Sequence, residues 1–125
     1  MARTPLISVV DDDDSFRESL MGYIRSVGFA ARGFASAAAF LGSGELELAD
    51  CVTLDVRMPG MSGPALQSEL RILRPDLPVV FITAHGDETT RARVLQEGAI
   101  ACLPKPFDGE ELLTAIHTAL GERDD

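Results

Sequence analysis

Five short apolar runs, each followed by a stretch with helical spacing, constrain the fold of this chain more than any other feature. The runs cover residues 6–10, 29–34, 51–54, 79–82 and 100–103. Strands that alternate with helices imply a parallel sheet covered by helices on both faces. The helical stretches carry their own start and stop signals. Ser15-Phe16-Arg17-Glu18 matches a capping box for a helix over residues 15–27, with Phe16, Leu20, Ile24 and Val27 at helical spacing and Gly28 past its end. Ser36 caps a short second helix, residues 37–41, stopped by Gly42-Ser43-Gly44. Ser62 or Gly63 caps a third, with Pro64 in its first turn and Leu66, Leu70 and Leu73 as its buried stripe. Asp87 caps a fourth that ends at Gly98, and Asp108 a fifth with Leu112, Leu113, Ile116 and Leu120 at core spacing. Residues 45–50 read as a surface connection and residues 121–125 as a polar, frayed tail. Nothing resembles an internal linker, so residues 1–125 read as one domain.

The central run carries the chemistry. Cys51, Val52 and Leu54 suit a strand interior, Asp55 ends it, and Pro59-Gly60 break the chain into a turn. An acid at the end of an apolar strand sits at the sheet rim, where open α/β folds bind ligands. Asp11-Asp12 follow the first run, Thr83 the fourth and Lys105 the fifth, so four strand ends deliver acids, a hydroxyl and an ammonium to one edge. Asp55 is the candidate nucleophile toward phosphorus, which would give an aspartyl phosphate. The plainer reading of a strand-end acid is a turn cap, and the convergence of the other groups weighs against it. Asp11 and Asp12 repel each other unless a cation is present, and Mg²⁺ takes oxygen ligands, commonly waters plus one or two carboxylates. Asp12 and Asp55 can supply carboxylates and the backbone carbonyl of Arg57 a third oxygen, while Asp11 orients a metal water. Asp13 and Asp14 are assigned to favouring the helix N-terminus. The Thr83 hydroxyl can donate to a phosphoryl oxygen, and Lys105 is a point charge suited to phosphate. Pro106 invites a cis Lys105-Pro106 bond. His85 is read as a surface-loop residue and His117 as facing solvent.

Composition excludes several classes. Hydrophobic residues make up 46% of the 125, enough for a core. No apolar run approaches the roughly 20 residues of a membrane span, and no signal-peptide core opens the chain, so a cytoplasmic protein without membrane contact is the expectation. A net charge of −9 leaves no basic stripe for nucleic acid. Cys51 and Cys102 fall on strands placed two positions apart, roughly 9–10 Å between backbones and beyond disulfide reach. Both read as small buried residues.

From Val9-Val10-Asp11-Asp12 through Asp55-Val56-Arg57-Met58-Pro59-Gly60 to Thr83-Ala84 and Lys105-Pro106-Phe107, the chain resembles the receiver domain of two-component response regulators. Residues 55–61 with Gly63, and residues 82–87, are similar to the FixJ-type branch, whose members commonly add a helix-turn-helix output domain. The resemblance implies a single flavodoxin-like, doubly wound (βα)5 fold with strand order 2-1-3-4-5, in which Asp11, Asp12 and Asp55 meet at the switch point. It implies Asp55 as phosphoacceptor, Asp11 and Asp12 in an acid pocket with Mg²⁺, and Thr83 and Lys105 at the family's hydroxyl and lysine positions. A sensor histidine kinase would supply the phosphoryl group. Phosphorylation would then change the surface around the fourth helix, fifth strand and fifth helix, pair two receivers there, and control a transcriptional output domain. A stand-alone phosphorelay receiver is the alternative. Any catalysis is expected to be limited to self-phosphotransfer and autodephosphorylation. Cys102 departs from the pattern, because many receivers carry Tyr or Phe there, whose rotamer follows the Thr. Two other classes fit less well. A Mg²⁺ phosphatase of the haloacid-dehalogenase type wants Asp-x-Asp where this chain has Asp55-Val56-Arg57, and four aspartates at 11–14 would repel the phosphate of a bound FMN.

Overall fold

Apolar β-type runs in this chain are four to six residues long, and each is bounded by turn or cap residues, so each forms one short strand. The computed structural model describes residues 3–84 and 87–121. Its elements are β1 (Leu6–Val10), α1 (Asp14–Ser26), β2 (Ala30–Phe34), α2 (Ala37–Leu41), β3 (Cys51–Leu54), α3 (Gly63–Leu73), β4 (Val79–Thr83), α4 (Glu88–Gln96), β5 (Ala101–Pro104) and α5 (Gly109–Ala119). The sheet is parallel throughout, in the order β2-β1-β3-β4-β5. Strand alternation sends side chains to opposite faces. Ile7, Val9 and Ile82 pack with Leu20 and Ile24 of α1 and Leu112 and Ile116 of α5. Val10, Leu54 and Phe81 face the other way, against Phe40 of α2, Leu66 and Leu70 of α3 and Val94 of α4. β1, β3 and β4 are buried along nearly their whole length, as strands covered on both faces must be. No helix among the described residues is long and apolar enough to cross a membrane.

Three local expectations are corrected. The cap of α1 is Asp13, whose carboxylate accepts from Phe16 N at 3.0 Å, so the helix starts before Ser15 and no capping box forms there. Aspartate is as good a cap as serine, and it comes first in the chain. Leu73 is half exposed at the end of α3, and Gln67 takes the buried place instead, donating from Nε2 to the Val94 carbonyl at 3.0 Å. His117 is half buried and packs edge-on against Phe29, ring centroids 5.9 Å apart. Residues 45–50 form the expected surface connection, anchored at its end by buried Ala49 and by Asp50, which accepts from Leu6 N at 2.7 Å while pairing with Arg3. The readings of His85 as a loop histidine and of the frayed tail beyond Gly121 lie outside the described residues. Cys51 and Cys102 are both free and buried, on β3 and β5 with β4 between them. Burial pushes the Cys51 thiol up to about 12.

Ser8 breaks the apolar character of β1. It is fully buried, and its hydroxyl has no hydrogen-bond partner. An unsatisfied buried hydroxyl costs about 1–3 kcal/mol relative to one left in water. Ser8→Ala is therefore expected to raise the unfolding free energy by about 1 kcal/mol, read from urea melts. A loss of stability of that size would mean that the hydroxyl is satisfied in solution.

Candidate functional site

Parallel strands bring their C-terminal ends to one edge, and that edge collects the polar residues. Val10 pairs with Leu54 across β1 and β3, so the residues that follow them, Asp11 and Asp55, leave the sheet side by side. Their backbones stay tied to it, Asp11 N donating to the Phe34 carbonyl at 3.0 Å and Asp55 N to the Val10 carbonyl at 3.3 Å. Lys105 arrives from β5 and donates its backbone N–H to the Thr83 carbonyl at 3.1 Å. The Lys105-Pro106 bond is cis.

Lys105 Nζ lies 2.9 Å from Asp11 Oδ2 and 3.1 Å from Asp55 Oδ2, bridging the two acids. Both carboxylates are almost fully buried, whereas Asp12 is exposed. One carboxylate oxygen from each of Asp11, Asp12 and Asp55 falls within 4.8 Å of the others. Each buried acid also accepts a backbone hydrogen bond, Asp11 from Asp13 N at 2.9 Å and Asp55 from Val56 N at 2.7 Å. Burial raises the Asp11 carboxyl above the usual carboxylate range, against the opposing pull of the Asp13 N–H and Lys105. For Lys105, burial alone would lower its affinity for a proton. The ion pairs to Asp11 and Asp55 together outweigh that, and its pKa is raised. An all-oxygen cluster of three carboxylates, only partly offset by one ammonium, fits a hard divalent cation in its donor chemistry.

Thr83, the last residue of β4, is buried, and with Ala84, Arg91, Cys102 and Lys105 it lines a cavity of about 240 Å³. Arg57 is exposed and borders a cleft that begins at Asp12. The structure thus gathers Asp11, Asp12, Asp55 and Lys105 into direct proximity and sets Thr83 beside Lys105. Arg57, whose backbone carbonyl is the expected third oxygen, lies in the loop after β3, two residues past Asp55.

Three residues that the sequence reading left without a part in the site support it. Arg17 donates to the Asp11 carbonyl at 2.7 Å and to Asp14 Oδ1 at 2.7 Å, clamping the acidic loop onto α1. Phe16 puts its ring 4.2 Å below Lys105 Nζ, a cation–π contact, and packs on Phe107, which in turn meets Tyr23. Gly63 lets α3 sit directly on the Asp55 backbone, because a Cβ there would collide with the Asp55 carbonyl oxygen. The signals were present in the spacing, an aromatic and an arginine within one helical turn of the acid run, but nothing in one dimension shows that Lys105 lands on them.

The family model for the response regulator receiver domain matches residues 7–117. Nodulation protein W of Bradyrhizobium diazoefficiens is 44% identical over 119 residues, covering 95% of this chain and 52% of that protein. The transcriptional regulatory protein FixJ of Azorhizobium caulinodans is 40% identical over 115 residues, covering 92% and 54%. The chain therefore spans about half the length of these curated relatives. Among solved structures, a response regulator receiver protein from Burkholderia phymatum superposes with a TM-score of 0.82 at 39% identity, covering 96% of this chain and 98% of that one. The response regulator StyR gives 0.85 at 46% identity, covering 95% of this chain and 60% of that one. A matched family model over most of the length, on a sheet of this order with this edge, means that the chain belongs to the response regulator receiver domain family.

Proposed function

We propose that this domain accepts a phosphoryl group on Asp55 from a phosphohistidine of a sensor kinase, with Mg²⁺ held by Asp12, Asp55 and the backbone carbonyl of Arg57. The observation that carries the reading is the Lys105 ammonium bridging Asp11 and Asp55 at the edge where three carboxylates converge. In the transfer, a carboxylate oxygen of Asp55 forms the bond to phosphorus as the phosphorus–nitrogen bond breaks. The departing imidazole keeps the electron pair and takes a proton. The cation, when bound, offsets the charge of the carboxylates and of the incoming phosphoryl oxygens. Lys105 and the Thr83 hydroxyl supply donors toward those oxygens, and Asp11 orients a water of the metal. The same reading assigns the output to α4. Thr83 is drawn toward the new phosphoryl oxygens, since charge-assisted hydrogen bonds are the stronger ones. Arg91 of α4 donates to the Cys102 carbonyl at 3.1 Å and so couples that helix to β5 without an aromatic ring at position 102. The altered face of α4, β5 and α5 then pairs two receivers and acts on a transcriptional output module of the full-length protein, in the cytoplasm and without DNA contact by this domain.

Incubation with acetyl phosphate and Mg²⁺ is expected to add the mass of one phosphoryl group to the wild type and none to Asp55→Asn. Equal labelling of both would reject Asp55. Asp12→Ala removes one of the carboxylate ligands, and Mg²⁺ titrations should show affinity reduced by about tenfold or more, with slower phosphorylation. An unchanged titration curve would reduce the acid run to a helix cap. With beryllofluoride bound, hydrogen exchange should change along residues 83–96 and sedimentation should show paired receivers, in Cys102→Ser as in wild type. Loss of the response in that variant would make the cysteine itself part of the switch.

A further inference from the structure

On a chain with 20 acidic and 11 basic residues, every arginine has a surplus of carboxylates to choose from. Most use it. Among the described residues six basic side chains pair with carboxylates, and Arg25 and Arg91 donate to backbone carbonyls. Arg57 and Arg93 do neither, and both line the same cleft of about 710 Å³ between the loop after β3, the first turns of α3, and α4. Arg57 stands close enough to α4 to help hold the Asp87 carboxyl below its usual range, after the dominant hydrogen bonds from Thr90. The same cleft is lined by buried Met58 and by Val56, Pro59 and Ala65, with hydroxyls from Ser62, Ser68 and Thr90 and the Asp12 carboxylate where it meets the acid edge.

We propose that this cleft docks a short acidic segment of a partner protein, with an apolar side chain on the floor at Met58 and Ala65 and flanking carboxylates on Arg57 and Arg93. The planar fork of a guanidinium matches a carboxylate in bidentate geometry, so two forks that hydrogen-bond to no carboxylate, beside apolar lining at Met58 and Ala65, select an acidic–apolar–acidic pattern. The lining is exposed at Arg57, Ala65 and Arg93, which suits side chains presented by another chain better than a small ligand, since such ligands bury most of their surface. Nucleic acid is disfavoured because two guanidinium groups on a chain of net charge −9 release few counterions. That same charge favours a short segment over a long polyanion. Screening over about 8 Å at physiological salt lets the two arginines act locally while the rest of the surface repels.

The test is an amide chemical-shift titration of the isotope-labelled domain with a terminally blocked peptide in which glutamates flank a leucine, beside a glutamine version. Saturable shifts at residues 56–68 and 87–94, absent with the glutamine peptide, are expected. Arg93→Glu should weaken binding by about tenfold or more, as loss of a charge-complementary contact does. Arg32→Ala, which removes an arginine paired with Glu45 away from the cleft, should leave it unchanged. The proposal is overturned if no saturation occurs below about 1 mM, if the shifts map elsewhere, or if Arg32→Ala costs as much as Arg93→Glu. It is also overturned if the same amides shift on dilution without peptide and sedimentation shows a dimer, because a second copy then fills the cleft. The readouts do not depend on phosphorylation of Asp55, so they stand or fall separately from it.

Discussion

Lys105 holds together a cluster that would otherwise push itself apart. Three carboxylates face one ammonium, and two of the three are buried. In a medium less polarisable than water, like charges at this spacing repel strongly, and a single cation cannot cancel them. Burial raises the Asp11 carboxyl, and the neighbouring Asp55 charge pushes in the same direction. The fold tolerates it because the backbone on each side is fixed. Register places Asp11 and Asp55 together, backbone N–H groups satisfy one oxygen of each, and Arg17 pins the loop between them and α1. The ammonium in turn rests on Phe16, and Phe16 on Phe107, so the aromatic contact between α1 and the loop after β5 supports the charge.

Such a cluster is expensive to build at the centre of a sheet and cheap at its edge. The strands themselves bury only apolar side chains plus Ser8, Thr53 and Thr83, and the carboxylates begin one residue beyond the last ladder pair. Two apolar layers, one toward α1 and α5 and one toward α2, α3 and α4, fix the strands to within a register step. That rigidity is what lets side chains from positions 11, 55 and 105 converge. Close approach matters as much as burial. Without a side chain at Gly63, α3 lies against the Asp55 backbone, and the loop from 55 to 63 is held short by Gly63 N donating to the Val56 carbonyl at 2.9 Å.

The strand–helix alternation and the strand-end polar residues were legible in the sequence because both follow from local spacing. Sheet order came from likeness to a family, since apolar runs of equal character do not say which neighbours which. The misread details have a common cause. Asp13 and Ser15 are both good caps, and only the path of the chain into α1 chooses between them. Leu73 continues the stripe of α3 on a helical wheel, but it is the last residue of the helix and stays half exposed. His117 was placed in solvent because it falls off the apolar stripe of its own helix. Phe29, far away in sequence, supplies the ring it packs on. Arg17 and Phe16 looked like ordinary first-turn residues of α1 until Lys105, from the opposite end of the chain, came to rest over them.

The helices are not held equally. α3 buries Gly63, Leu66, Gln67 and Leu70, whereas α4 buries Val94 alone. Two polar tethers make up part of the difference, Gln67 reaching the Val94 carbonyl from α3 and Arg91 reaching the Cys102 carbonyl on β5. Small Cys102 leaves space beneath Arg91, in the cavity that Thr83 and Lys105 also line. Few buried apolar contacts mean a small free-energy cost for displacing an element. A hydrogen bond between a guanidinium and a carbonyl, unlike an interlocked aromatic ring, can be exchanged for water with little net loss. The helix nearest the strand-end hydroxyl is thus the one the core grips least. Both the cavity below it and the cleft beside it open onto groups that belong to the acid edge, Lys105 and Thr83 in one and Asp12 in the other. A change in charge at that edge therefore meets its weakest mechanical resistance along α4, while the better-buried α3 keeps Asp55 in place.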